Sequence, residues 1–383
     1  MKNFEYQNKT KIIFGRNDES VIAAELTALG AKKVLIHYGQ NSIVKSGLLG
    51  RVKMALDSAG IKYIEFGGVK PNPLRSHAIE GVALAKREKV DFILAIGGGS
   101  VIDSAKCIAV GAVNANVWDY YTGKKTDIKK ALPIGVVLTI PAAGSENSTG
   151  SVIVDDESSL KYFIGSGLIR ATFSVINPDY CVTLPKTQIA YGASDILAHL
   201  LERYFSPTEN VGLTDKILGA AIQQMFEIAP KVFADPTEYE YMAEFCLLGT
   251  LAHNGMLSLG RVYEDWGSHD IEMAACSGPH DVAHGAGLAV IFPAWLKFVA
   301  KTKPAKIQQF ATEVMNEKTV DKAIAKLQTF YKSLGLEITL GGLGIQLEDA
   351  TNFARLKFGK DTVLGGYGKL SLDDILKILE IAK

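Results

Sequence analysis

Apolar and polar positions follow two different regimes along this chain. Up to about residue 180, short apolar runs are separated by amphipathic stretches. KKVLIHYG (32–39), IKYIEFGG (61–68) and DFILAIGGGS (91–100) read as strands, because continuous apolar runs that end in glycine suit parallel strands covered on both faces. KSGLLGRVKMALDSAG (45–60) and SHAIEGVALAKREK (76–89) repeat at helical spacing between them. This alternation predicts a doubly wound α/β domain over 1–182, with its ligands at the carboxyl ends of the strands. Residues 4–14, FEYQNKTKIIF, predict a leading strand or hairpin at a sheet edge, where a second subunit can pair with it.

After NPDYCVTLPK (177–186) the period becomes helical, and Pro178 and Pro185 mark the change. Helices are predicted over 187–205, 213–233, 237–258, 284–300, 304–333 with a break, and 371–382. Ser371 and Asp374 open the last one at the spacing of a capping box. Residues 183–383 are therefore expected to form an all-α domain.

Composition narrows the function. Of 383 residues 48% are apolar and 21% charged, with 41 basic and 41 acidic side chains. A balanced charge offers no field for nucleic acid or an anionic membrane, which leaves a small, weakly charged partner. Four scattered cysteines without a C-x-x-C pair argue against a disulfide framework and a thiolate zinc site. MKNFEYQNKTKIIFG lacks the apolar core of a signal peptide, so a cytoplasmic protein is expected.

Two stretches carry chemistry. In YGASDILAHLLERYF, Asp195 and His199 stand four apart, on one face of a helix. WGSHDIEMAACSGPHDVAHGAGLA adds His269, His280 and His284. One carboxylate with up to three imidazoles suits a borderline divalent ion, ferrous iron or zinc. His37, His77 and His253 read as structural. The second stretch is IGGGSVIDSAK (96–106), where Gly97, Gly98 and Gly99 follow a strand and a helix N-terminus follows them. Such a turn lets backbone N–H groups face a phosphate, with Ser100 adding a hydroxyl. Asp103 and Lys106 read equally as cofactor contacts or as an exposed helix pair. After the strand at 32–38, Gly39 opens a loop through Gln40, Asn41 and Ser42 that has no carboxylate. An acidic residue there would bond the adenosine ribose and repel a 2′-phosphate, so NADP(H) is preferred over NAD(H). LTIPAAGSENSTGSVI (138–153) reads as a strand running into a groove lined by Thr139, Ser145, Asn147 and Ser148. Tyr180 reads as a boundary residue or a cofactor contact.

GGGSVIDSAK, PNP at 71–73, PAAGSE, the Asp195 and His199 pair and the His269 to His284 block occur in order over nearly the whole chain. Together they resemble the iron-dependent, group III alcohol dehydrogenases, in their butanol dehydrogenase and broad-range aldehyde reductase branch. The resemblance implies a dinucleotide-binding domain, a helical metal-binding domain of dehydroquinate synthase-like architecture, and an active site in the cleft between them. It implies that Asp195, His199, His269 and His284 bind the metal, and that Asn72, Gly97, Gly98, Gly99, Ser100, Thr139 and Lys161 lie along the cofactor. A homodimer is expected on the same ground.

Two departures stand out. Met273 occupies the place, four after His269, where the family commonly has a second histidine, and the interval to His284 is one residue longer than usual. His280 is therefore an alternative fourth ligand, or a proton relay. The expected reaction is reversible hydride transfer between a nicotinamide and a small alcohol or aldehyde such as butanol and butanal. Polyol oxidation like that of glycerol dehydrogenase, and a cofactor-binding sensor without activity, are the alternatives.

Overall fold

A computed structural model describes all 383 residues as two compact units, Asn8–Thr183 and Leu184–Lys383 together with Met1–Gln7. Eight strands lie in the first unit. They are β1 (Lys11–Phe14), β2 (Lys33–Tyr38), β3 (Lys62–Phe66), β4 (Phe92–Gly97), β5 (Ile134–Leu138), β6 (Gly150–Val154), β7 (Lys161–Gly165) and β8 (Phe173–Ile176). Six form a parallel sheet in the order β1-β8-β5-β4-β2-β3, and β6 pairs antiparallel with β7. The chain leaves β2 for β3 on one side, then crosses back to β4 on the other. β2 and β4 are thus neighbours, Tyr38 opposite Ile96, and the switch in strand order falls between their carboxyl ends, where such folds bind ligands.

Every position of β4 is buried, as its unbroken apolar run requires. Helices Ser20–Ala28 and Leu48–Ser58 bring Ile22, Leu26, Val52 and Leu56 into one cluster with Val34, Ile36, Leu94 and Ile96. Helices Arg75–Arg87 and Gly99–Val113 meet closely because Gly81 and Gly111 carry no side chain. A Cβ on Gly111 would lie 2.3 Å from Val82 Cγ2.

The leading strand is shorter than its sequence predicts, only Lys11–Phe14 on the sheet edge beside β8. The terminal amine donates to the Glu209 carbonyl and the Lys2 N–H to that of Gly260, so the first seven residues are held by the helical unit instead. The stretch 138–153 runs on from a strand, as its sequence predicts. It leaves β5, makes a 3₁₀ turn at Ser145–Asn147 and enters β6.

A buried cation shapes that turn. Lys106 is fully enclosed, and its Nζ donates to the carbonyls of Ser145 (2.8 Å), Ser148 (3.2 Å) and Gly150 (2.7 Å) and to Ser148 Oγ (3.1 Å). Asp103 accepts from Ser145 Oγ and the Val152 N–H, both at 2.9 Å. Burial pulls Lys106 down to about 8 against the attraction of Asp103, and raises the Asp103 carboxyl. Asp103 and Lys106 are thus no exposed helix pair; they hold the 145–152 segment on the helix that follows β4.

His37 is also buried, as a structural histidine. Its Nδ1 donates to the Phe66 carbonyl (2.8 Å), which leaves Nε2 to accept from Ser104 Oγ (2.9 Å). Its ring, that of Phe66 and that of His77 pack mutually, with centroids 4.5–6.0 Å apart. Burial lowers its pKa to about 3, with His77 adding to the shift.

The second unit is helical throughout. Its centre is Lys186–Tyr204, buried at nearly every position from Ile189 onward, as expected of a helix enclosed by others. Gly212–Ala234, Tyr239–His253 and His284–Thr302 pack on it. Gly285 permits the last of these contacts, since a Cβ there would lie 2.1 Å from the Tyr191 carbonyl oxygen. The capping box of Ser371 and Asp374 is present in both directions. Helix Leu347–Lys357 has no counterpart in the sequence reading, although Leu347, Ala350, Phe353 and Ala354 repeat at helical spacing; it buries only Ala350 and Ala354. No helix is long and apolar enough to cross a membrane.

Two outcomes follow from this packing. His37 binds a proton near pH 6.5 when unfolded but only near 3 when folded, so stability falls as pH drops through that window. Urea unfolding should show a loss of about 2 kcal/mol from this residue between pH 7 and pH 5, and His37→Gln should flatten the slope. Gly285→Val should lower stability by about 1–3 kcal/mol or more, because its obstacle is backbone that cannot rotate away; an unchanged unfolding midpoint would contradict the close approach.

Candidate active site

Asp195 and His199 lie one turn apart on the central helix, and His269 lies on the short helix Gly267–Glu272. All three are buried, and their ligand atoms lie within 4.8 Å of one another. The Nδ1 of His199 sits 2.9 Å from both the carbonyl oxygen and Oδ1 of Asp195, and its hydrogen bond goes to the carbonyl. A carbonyl only accepts, so Nδ1 carries the proton and Nε2 of a neutral ring offers its lone pair. His269 Nδ1 lies 2.8 Å from Glu202 Oε1, and its Nε2 is buried without a hydrogen-bond partner. An orphaned acceptor is rare in a folded interior, and one placed beside the Asp195 carboxylate and His199 fits a cation. One carboxylate with imidazole nitrogens is the donor set of zinc or ferrous iron.

Electrostatics keep this set ready. Burial alone would raise the Asp195 carboxyl, but His199, with His284 and His269 behind it, holds it at about 2. Burial presses His269 well below the usual imidazole range, and His199 and His284 press it further. At neutral pH the carboxylate is thus ionised and the His269 ring neutral, the forms that bind a metal.

His284 stands beside the trio, its ring 5.3 Å from that of His269, and its Nδ1 is hydrogen-bonded to the buried Glu272. His280 is placed differently, with its ring against Phe353 at 5.7 Å. Met273 begins a π-helical turn, Met273–Ser277, which takes up one more residue per turn than an α-helix and lies between His269 and His284. Sequence reasoning missed three neighbours. His253 packs its ring 4.5 Å from that of His199, and Glu202 and Glu272 hold the other two imidazoles. The signal for Glu202 was available, since it lies three residues past His199 on the same helix face.

In the α/β unit, the loops after β2 and β4 come together. A Cβ on Gly39 would lie 3.8 Å from Val101 Cγ2, in the first turn of the helix that Gly99 begins. Gln40, Asn41 and Ser42 are exposed there. Gly97 and Gly98 have a packing reason as well, since a Cβ would meet Val101 at 2.5 Å and Ile140 at 2.8 Å, whereas Gly99 is open and Ser100 half-buried beside it. Thr139 donates its N–H to the Gly97 carbonyl. Asn72 sits in a left-handed turn, at φ 54. Four expected cofactor contacts are engaged within the fold. Asp103 and Ser148 belong to the Lys106 network, Lys161 is buried in β7, and Tyr180 bonds Glu19 at 3.1 Å.

The rest of the chain agrees with these two sites. Residues 9–178 match the family described as iron-containing alcohol dehydrogenase, and 189–383 match the C-terminal domain of the same family. The probable NADH-dependent butanol dehydrogenase 1 of Bacillus subtilis is 39% identical over 99% of both chains. The NADPH-dependent aldehyde reductase YqhD of Escherichia coli is 33% identical over the full length of both. The solved structure of an NADH-dependent butanol dehydrogenase A from Thermotoga maritima superposes with a TM-score of 0.95, at 37% identity, over 100% of this chain and 99% of that one. With a parallel sheet whose switch point carries a glycine turn, and a helical unit whose buried acceptors converge, the chain belongs to the iron-containing alcohol dehydrogenases, in their butanol dehydrogenase branch.

Proposed function

We propose that this chain interconverts a small alcohol such as butanol and its aldehyde, using NADP(H) in preference to NAD(H), around one Fe²⁺ or Zn²⁺ held by Asp195, His199, His269 and His284. The observation that carries this reading is the buried, unpartnered His269 Nε2 within a 4.8 Å group that includes the Asp195 carboxylate and His199. An ion bound there supplies Lewis acidity toward the oxygen of the substrate carbonyl. Asp195 contributes the one formal charge among its ligands, and the committed Nδ1 protons of His199 and His269 keep their rings oriented. Gly99 and Ser100, at the start of their helix, are suited to the cofactor phosphates, with N–H groups free of the helix ladder.

The preference for NADP(H) is supported by the Gly39 to Ser42 loop, exposed over Gln40 to Ser42 and without a carboxylate. The relatives carry both cofactors in their names, NADH in Bacillus subtilis and NADPH in Escherichia coli. Four free, buried cysteines support a reducing, cytoplasmic setting. The edge position of β1, with Ile12 and Phe14 partly exposed, supports a homodimer. His280, set apart against Phe353, is better suited to handing on a proton than to a fourth ligand position. A 1,3-propanediol dehydrogenase of Klebsiella pneumoniae is 28% identical, whereas the relatives above 30% identity over the whole chain are named for butanol and aldehydes, which favours the small mono-alcohol over a polyol.

Protein purified without chelator should contain about one equivalent of iron or zinc and should oxidise NADPH faster than NADH with butanal. A folded, active, metal-free preparation would overturn the ligand assignment. Asp195→Ala and His199→Ala should each lose metal and turnover together, and Gln40→Asp should raise the NADH to NADPH activity ratio by restoring a carboxylate beside the ribose.

A further inference from the structure

We infer that Glu202 is the positioning residue that makes His269 a metal ligand, by joining the two ligand-bearing segments through one carboxylate. The inference rests on the metal reading above and concerns a side chain that would not itself touch the ion. Glu202 lies seven residues after Asp195 and three after His199, on the helix that carries both, and is fully buried. Its Oε1 accepts from His269 Nδ1 (2.8 Å), the His269 N–H (3.2 Å) and Ser268 Oγ (2.5 Å), and its Oε2 accepts from the Trp266 N–H (2.7 Å). Its own carbonyl takes the Asp265 N–H at 3.1 Å. Five hydrogen bonds from one residue thus fix segment 265–269 on the Asp195 helix.

The chemistry follows from the donors. Backbone N–H groups and a hydroxyl already point at this carboxylate, so His269 Nδ1 meets an acceptor and must carry the ring proton. Nε2 then keeps its lone pair, and it is the atom left without a partner near Asp195 and His199. The ring is also confined from the side, edge-on to Trp266 at 5.0 Å between centroids, and Trp266 is backed by the Arg203 guanidinium at 5.0 Å. A carboxylate behind a ligating imidazole fixes its tautomer and strengthens it as a donor. Glu272 stands in the same relation to His284, but its Oε1 has no partner and His284 is partly exposed, so the Glu202 brace is the firmer of the two.

The test is Glu202→Gln, which keeps the shape, removes the charge and leaves one oxygen for four donors. Metal-free wild type and E202Q would be titrated with Zn²⁺ and Co²⁺ against a chromophoric chelator, and the Co²⁺ absorption bands recorded. Wild type should take up one equivalent, and E202Q should bind about 10–100-fold more weakly with shifted Co²⁺ bands. A lower unfolding midpoint with unchanged affinity and unchanged bands would mark Glu202 as merely structural and overturn the inference alone. A wild-type chain that takes up neither ion would overturn the metal reading, and this inference with it. Should E202Q not fold, ¹⁵N spectra of histidine-labelled, metal-free wild type decide, with His269 assigned by His269→Gln: a proton on Nδ1 supports the inference, and one on Nε2 refutes it.

Discussion

The helical unit depends on holding three imidazoles around one carboxylate, two of them buried and the third partly exposed. Each Nδ1 is committed behind its ring, on the Asp195 carbonyl for His199, on Glu202 for His269 and on Glu272 for His284. What remains in front includes His269 Nε2, buried with nothing to accept, and an orphan of this kind costs about 1–3 kcal/mol. Packing around the helix Lys186–Tyr204 is extensive enough to carry that cost, since nearly every residue from Ile189 to Tyr204 is buried. A fold that merely needed to be stable would place leucine at 199 and 269.

The α/β unit uses a buried charge in the opposite sense. Lys106 faces a ring of carbonyls and a hydroxyl, so each of its protons has a place to go, and the 145–150 turn is built around it. Asp103 completes the arrangement from one helical turn earlier. This polar knot sits directly behind the glycine turn that ends β4, and it determines where Ser145 and Ser148 can be. Hydroxyls that look like cofactor contacts in the sequence thereby also serve the architecture of the turn.

Legibility in the sequence followed the range of the forces involved. Strands β2, β3 and β4 and the main helices were readable because their apolar period is local, and the Asp195 to His199 spacing was readable because four residues make one helical turn. Helix Leu347–Lys357 went unread although Leu347, Ala350, Phe353 and Ala354 repeat at helical spacing, its only fully buried positions being two small alanines. The fate of Met1–Gln7 and the burial of Asp103 and Lys106 were also hidden. Both depend on partners far along the chain, Gly260 and Glu209 for the one and the 145–152 segment for the other. Glu202 lay in plain view on the right face of the right helix, but its role appears only once residues 265–269 are brought against it.

The π-helical turn at Met273–Ser277 has an evolutionary side. A turn of this kind can hold one residue more than an α-helical one, and it lies between two histidines whose rings are 5.3 Å apart. Spacing in the sequence and spacing at the ion are thereby uncoupled. A lineage can gain or lose a residue there without dismantling the centre, and a search that demands a fixed interval between the two histidines would pass over chains like this one.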